Sequence, residues 1–267
     1  MESRLYALGP GDTREQWDLY GNISALVPCE KGGFLATLRD GIYHLDPGGP
    51  TLTWLIPLEA DLPGNRFNDG YSDTRGNFWF GSMDDGHAKA SGRFYRLDAG
   101  GQVHSLDDFG TFCITNGPTF SADGRHVYFT DTVNRAIHRA PLAADGTPGG
   151  PELFIDFRPY AGHPDGMCVD TEGGLWVCHY GGAQISRFSP AGNYDYSLSL
   201  PVPNITKCCF GGPDMATLFI TTARGAPGPG ASDHPLSGGL FAVDVPFRGI
   251  PITPVPNPPG AANTPRT

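Results

Sequence analysis

Positive charge is scarce in this chain. Its 18 Lys and Arg stand against 28 Asp and Glu, a formal net charge of −10, and there is no basic run. That balance disfavours phosphate backbones and anionic lipid surfaces, so neither nucleic acid nor membrane is expected as a partner. Long apolar runs are missing as well: none approaches the roughly 18 residues that would span a bilayer. The opening MESRLYALGPGDTREQWD carries charge throughout and has no apolar h-region. No signal peptide is visible, and a cytoplasmic location is expected. Cys29, Cys113, Cys168, Cys178, Cys208 and Cys209 have neither finger-like nor redox-motif spacing, and most lie in or beside apolar segments. They read as buried thiols in a reducing compartment. There is no G-x-S-x-G, and nothing fixes a nucleophilic Ser beside a His, so a Ser-His-Asp hydrolase is not supported.

What the chain has in excess is turn residues. It holds 38 Gly and 26 Pro with 11% aromatics, which leaves little room for long helices and fits an all-β domain. Five segments repeat when laid on their first apolar strand residue: Phe34 in GGFLATL, Phe78 in GNFWFG, Val127 in GRHVYFTD, Leu175 in GGLWVC and Leu218 in ATLFITT. They recur every 43 to 49 residues, and each is followed by a second apolar alternation such as GRFYRLD or AQISRF. A period of that length, made of short strands and Gly turns, is the signature of propeller blades. Residues 1–250 are expected to form one propeller domain. The stretch 251–267, with its prolines and little apolar patterning, is expected to be a loosely held tail.

Three polar triplets keep step with this repeat: Asn68-Asp69-Gly70, Asn116-Gly117-Pro118 and Pro164-Asp165-Gly166. Their polar residues Asn68, Asn116 and Asp165 fall 10 or 11 residues before the aligned strand residue. Equivalent positions of successive blades share height and radius, so these residues should converge on one mouth of the central channel. Any one triplet alone reads most simply as a turn; three in register point to a site. Asp165 offers a carboxylate and Asn116 an amide oxygen, hard donors of the kind that divalent cations accept. Such an ion, with open positions, could polarise a carbonyl and acidify a water, which makes hydrolysis of an ester-like bond the natural chemistry. Arg66 should emerge beside Asn68 because strand periodicity is two, and Asp69 should point away as a turn or supporting residue. His163 and His179 carry no specific signal. Lys207 sits at the equivalent place in the next repeat, as a channel cation or a strand-edge lysine. Trp79 and Trp176 share one blade position and are expected to pack between blades.

With these residues in view, the chain resembles the SMP-30/gluconolactonase/LRE (regucalcin-like) family. The matching stretches are LPGNRFNDGYSDTRGNFWFGSM (62–83), ITNGPTFSADGRHVYFTDT (114–132), HPDGMCVDTEGGLWVCHYGG (163–182), FGGPDMATLFITTAR (210–224) and LSGGLFAVDV (236–245). The resemblance implies a six-bladed β-propeller that hydrolyses a sugar lactone to the aldonic acid with one divalent metal, Ca²⁺, Zn²⁺, Mn²⁺ or Mg²⁺, at the channel mouth. It places metal ligands on Asn116 and Asp165, the substrate-contacting Arg and Asn on Arg66 and Asn68, and activation of the attacking water on Asp165.

The resemblance breaks at the N-terminus. The family's E-G-P-x-W-like segment, whose Glu is its first metal ligand, has no counterpart here, and SRLYALGPGDTREQWDL matches the later part of a first blade. The expected fold is therefore a six-bladed propeller whose first blade is incomplete by about half a blade, roughly 20 to 40 residues. Two further functions stay open: a non-catalytic or impaired propeller that binds a metal or metabolite, favoured by the missing Glu, and a hydrolase of another ester class. The segment DDGHAKAS (84–91), expected to line the entrance, carries no readable specificity code.

Overall fold

The computed structural model describes residues 3–9, 13–46, 51–225 and 234–257. Among them the one helical element is the short turn Asp107–Phe109. Five antiparallel sheets follow one another along the chain: residues 25–57, 65–105, 115–156 and 163–199 each make four strands, and 205–244 make three. This is the all-β propeller that the repeat indicates, but not with six blades and an incomplete first one. Five blades form, and the N-terminal residues make a separate two-stranded hairpin, Arg4–Leu8 with Arg14–Asp18. Nearly every position of both hairpin strands is exposed, so the hairpin buries no apolar face against a blade.

The segments aligned in the sequence are the second strands of the blades: Phe34–Leu38, Phe78–Asp84, His126–Asp131, Leu175–Tyr180 and Thr217–Thr222. Each blade has a strand before it, and these first strands pack successively around the channel. Ala25–Pro28 lies against Asn65–Ser72, that strand against Thr115–Phe120, that against His163–Val169, and that against Ile205–Gly211. Among the described residues no comparable contact joins Ile205–Gly211 back to Ala25–Pro28.

The chain's later residues bridge that opening. Gly249 pairs with Asp170 of the fourth blade, the Thr253 carbonyl accepts the Ser72 hydroxyl of the second, and Val255 pairs in parallel with Cys29 of the first. The stretch from Pro251, expected to be loose, is thus tied down as far as Asn257, whose Oδ1 accepts the Lys31 N–H at 2.9 Å. Residues 258–267 lie outside the described residues. Val255 is buried because it completes the apolar layer of Val27, Leu35, Ile42 and Phe67.

The blades are held face to face by side chains of the second strands. Trp79 and Trp176 are both buried, as their shared position indicates, Trp79 against Phe120 of the next blade and Trp176 against Phe210 of the next. All six thiols are free; Cys29, Cys168, Cys178 and Cys208 are buried, Cys113 is half-buried and Cys209 exposed.

Candidate functional site

Four of the five first strands carry a register shift within the polar segment: between Phe67 and Gly70, Asn116 and Thr119, Pro164 and Met167, and Ile205 and Lys207. An extra residue on one strand of a pair bends it and re-aims its side chains. The triplets are therefore not loops at the mouth but bulges in the innermost strands, and they open one cavity of about 810 Å³. Arg66, Asn68, Asn116 and Asp165 all line it, from three blades. The structure brings together every residue singled out for binding or catalysis.

It also adds others. Asp69 lines the same cavity, although strand parity turned it away, because the bulge at 67–70 breaks the two-residue period there. Lys207 and Thr206 reach in from the fifth blade, His163 and Thr132 stand at the wall, and His87 comes from the 84–91 segment. Ser24 contributes from the first blade, ten residues before Phe34, in the register of the other triplets. That spacing could have identified it; its small side chain hid the signal.

A directed chain of hydrogen bonds fixes the polar wall. Asp85 Oδ1 accepts Arg66 Nε at 2.9 Å, and Arg66 Nη1 donates to Asn68 Oδ1 at 2.9 Å. Asn68 Nδ2 donates to Asn116 Oδ1 at 2.9 Å, Asn116 Nδ2 to Thr132 Oγ1 at 3.0 Å, and the Thr132 hydroxyl to the Pro164 carbonyl at 2.9 Å. Every amide is oriented by its neighbours, so the first strands of three blades hold these groups without freedom to rotate. Among the described residues Arg66 Nη2 carries no hydrogen bond, which leaves it as a donor for a ligand.

Asp165 follows Pro164, on whose carbonyl this chain ends. Burial, then the negative charge of Asp69, hold its carboxyl well above the usual carboxylate range; the Gly166 N–H, Lys207 and Arg66 pull part of the way back. A carboxylate so placed gains from any cation brought beside it. The Asn116 carbonyl oxygen, with one hydrogen bond accepted, keeps a second lone pair. Among the described residues no three His, Cys, Asp or Glu side chains are grouped to hold a metal. One carboxylate and one amide oxygen nonetheless fit a hard dication that keeps several waters, the binding style of Mg²⁺ in particular.

Comparison with known proteins agrees with this architecture. A family model described as the SMP-30/gluconolactonase/LRE-like region matches residues 1–224. The chain is 35% identical over 265 residues to a 6-deoxy-6-sulfogluconolactonase of Pseudomonas putida, covering 94% of this chain and 88% of that protein. It is 30% identical over 241 residues to regucalcin of Sus scrofa, covering 87% and 80%. Among solved structures, the calcium-binding protein regucalcin of Agrobacterium tumefaciens superimposes with a TM-score of 0.87 at 30% identity, over 96% of this chain and 87% of that one. A matching family model over most of the chain, relatives at this identity and a shared fold together make the chain a member of the SMP-30/gluconolactonase/LRE-like family.

Proposed function

We propose that the chain hydrolyses a sugar lactone to the corresponding aldonic acid, with Asn116 and Asp165 holding a divalent cation. The observation that carries this reading is the convergence of Arg66, Asn68, Asn116 and Asp165 on one cavity of about 810 Å³, large enough for a monosaccharide ring. The family's gluconolactonases and the lactonase named among its relatives support the reaction class.

A Ca²⁺, Mg²⁺, Mn²⁺ or Zn²⁺ ion bound there would polarise the lactone carbonyl and lower the pKa of a bound water. Asp165, on the bulge of the fourth blade's first strand, accepts the proton of the attacking water. The oxygen adds to the carbonyl carbon, the ring C–O bond breaks, and the ring oxygen leaves as a hydroxyl by taking the proton that Asp165 received. Arg66, braced by Asp85, donates from Nη2 to a sugar hydroxyl or an acidic substituent, and Asn68 keeps that guanidinium in place through Oδ1. His87, from the 84–91 segment, gives the entrance a further hydrogen-bonding group.

The test is acid release from gluconolactone and from its 6-deoxy-6-sulfo analogue, with each of the four cations added. Asp165→Ala and Asn116→Ala are expected to lose about a hundredfold or more in kcat/KM. Unchanged rates in both variants would remove the proposed site.

A further inference from the structure

Lys207 leaves the first strand of the fifth blade at its register shift, one residue after Thr206, which the pairing sets level with Asn116 and Asp165 in their own blades. Its stem crosses Gly166. A Cβ at that glycine would meet Lys207 Cβ and Cγ at 3.0 Å and the Thr206 carbonyl oxygen at 2.7 Å, so the glycine of the Pro-Asp-Gly triplet keeps the path clear. The ammonium then ends on Asp69 Oδ1 in the second blade, 3.4 Å from the Gly70 carbonyl and 5.8 Å from the centre of the Tyr71 ring. Both oxygens of Asp69 are engaged: Oδ1 also accepts the Gly70 N–H at 2.7 Å, and Oδ2 accepts the Gly117 N–H at 2.9 Å and keeps one lone pair. Burial pulls the lysine pKa down, but Asp69 outweighs it, so the ammonium stays charged.

The cavity thus holds two carboxylates, Asp69 and Asp165, and two cations: Arg66, which is paired with Asp85, and Lys207, which takes Asp69. A fixed ammonium acts on a dication at Asn116–Asp165 in two ways. It repels the ion across a partly desolvated channel, and it withholds Asp69 from serving as a second acidic donor.

We propose that Lys207 sets the charge of this cavity and holds its affinity for divalent cations low, so that the metal exchanges freely with solution. The inference rests on the reading of Asn116 and Asp165 as metal ligands. Calorimetric titration of the full chain with Mn²⁺ tests it without any turnover. Lys207→Met is expected to bind about tenfold or more tightly than the wild type, and Asp69→Asn more weakly. Circular dichroism checks that each variant is folded. If Lys207→Met does not fold with Asp69 left unpaired, the double variant Asp69→Asn/Lys207→Met, which has neither charge, is compared with Asp69→Asn and is expected to bind more tightly. Binding that Asp165→Ala abolishes but that loss of Lys207 leaves unchanged or weakens would overturn the inference alone. Binding in none of the proteins, or binding untouched by Asp165→Ala, would overturn the metal site as well.

Discussion

His179, on the second strand of the fourth blade, packs against Phe157 with ring centroids 4.6 Å apart, and its Nδ1 lies 2.7 Å from the Ala161 carbonyl. Its Nε2 is buried without a partner among the described residues, an arrangement that suits a neutral ring. Burial accordingly pushes the imidazole down from 6.5 to about 4, against the pull of the Ala161 carbonyl. The unfolded chain takes up this proton first as the pH falls. The contribution to stability is therefore complete above about pH 6.5 and is lost as pH drops towards 4, by up to roughly 3 kcal/mol. Urea unfolding at pH 7.5 and 4.5 measures it, with His179→Gln expected to lose less stability across that interval than the wild type. Equal losses would place the acid sensitivity elsewhere. The neutral imidazole was not legible in the sequence, where a histidine following a Trp strand looks the same whether it faces solvent or a phenylalanine.

At the scale of the element, the second and fourth blades share a lock at the turn between first and second strands. In the fourth blade Asp170 accepts the N–H groups of Glu172 and Gly174 on Oδ1, and on Oδ2 the Trp176 indole at 2.8 Å and Arg187 Nε at 2.6 Å. In the second, Asp73 accepts Trp79 Nε1 at 2.9 Å and Asn77 Nδ2 at 2.7 Å, and among the described residues no guanidinium hydrogen-bonds to it. Asp170→Ala strips a buried guanidinium of one partner and orphans the indole, so it is expected to cost about 3 to 5 kcal/mol. Asp73→Ala, which frees only neutral donors, should cost about 1 to 3 kcal/mol. Chemical denaturation of both variants decides, and similar losses would deny the arginine its part. The repeat that carries these locks was readable because Phe78, Trp79, Leu175 and Trp176 are large, apolar and regularly spaced. The innermost strands were not, because NRFNDGYS and HPDGMCV mix polar, Gly and apolar residues without alternation. Residues such as Asn68 and Asp165 could be grouped by spacing, yet the bulges that aim them, and that turn Asp69 into the cavity, leave no mark in a pattern of period two.

In the molecule as a whole, the run of inner strands from the first to the fifth blade is joined back by residues 249–257. Deleting 251–267 removes the buried Val255, its pairing with Cys29 and the Thr253 contact to Ser72. The expected loss is several kcal/mol, read as a lower thermal midpoint, whereas a merely trailing segment would leave the midpoint unchanged. The family fold was legible at this scale; the exposed N-terminal hairpin was not, since RLYAL and REQWD read as ordinary strands until their neighbours are known. The strap also orders events in time. Lys31 and its partner Asn257 are separated by 226 residues, so the contacts that tie the strap to the first blade form only after the other four blades have been synthesised. A growing polypeptide carries the first blade without its strap until those blades have emerged, and closure of the ring comes as a late, slow step governed by long-range contact.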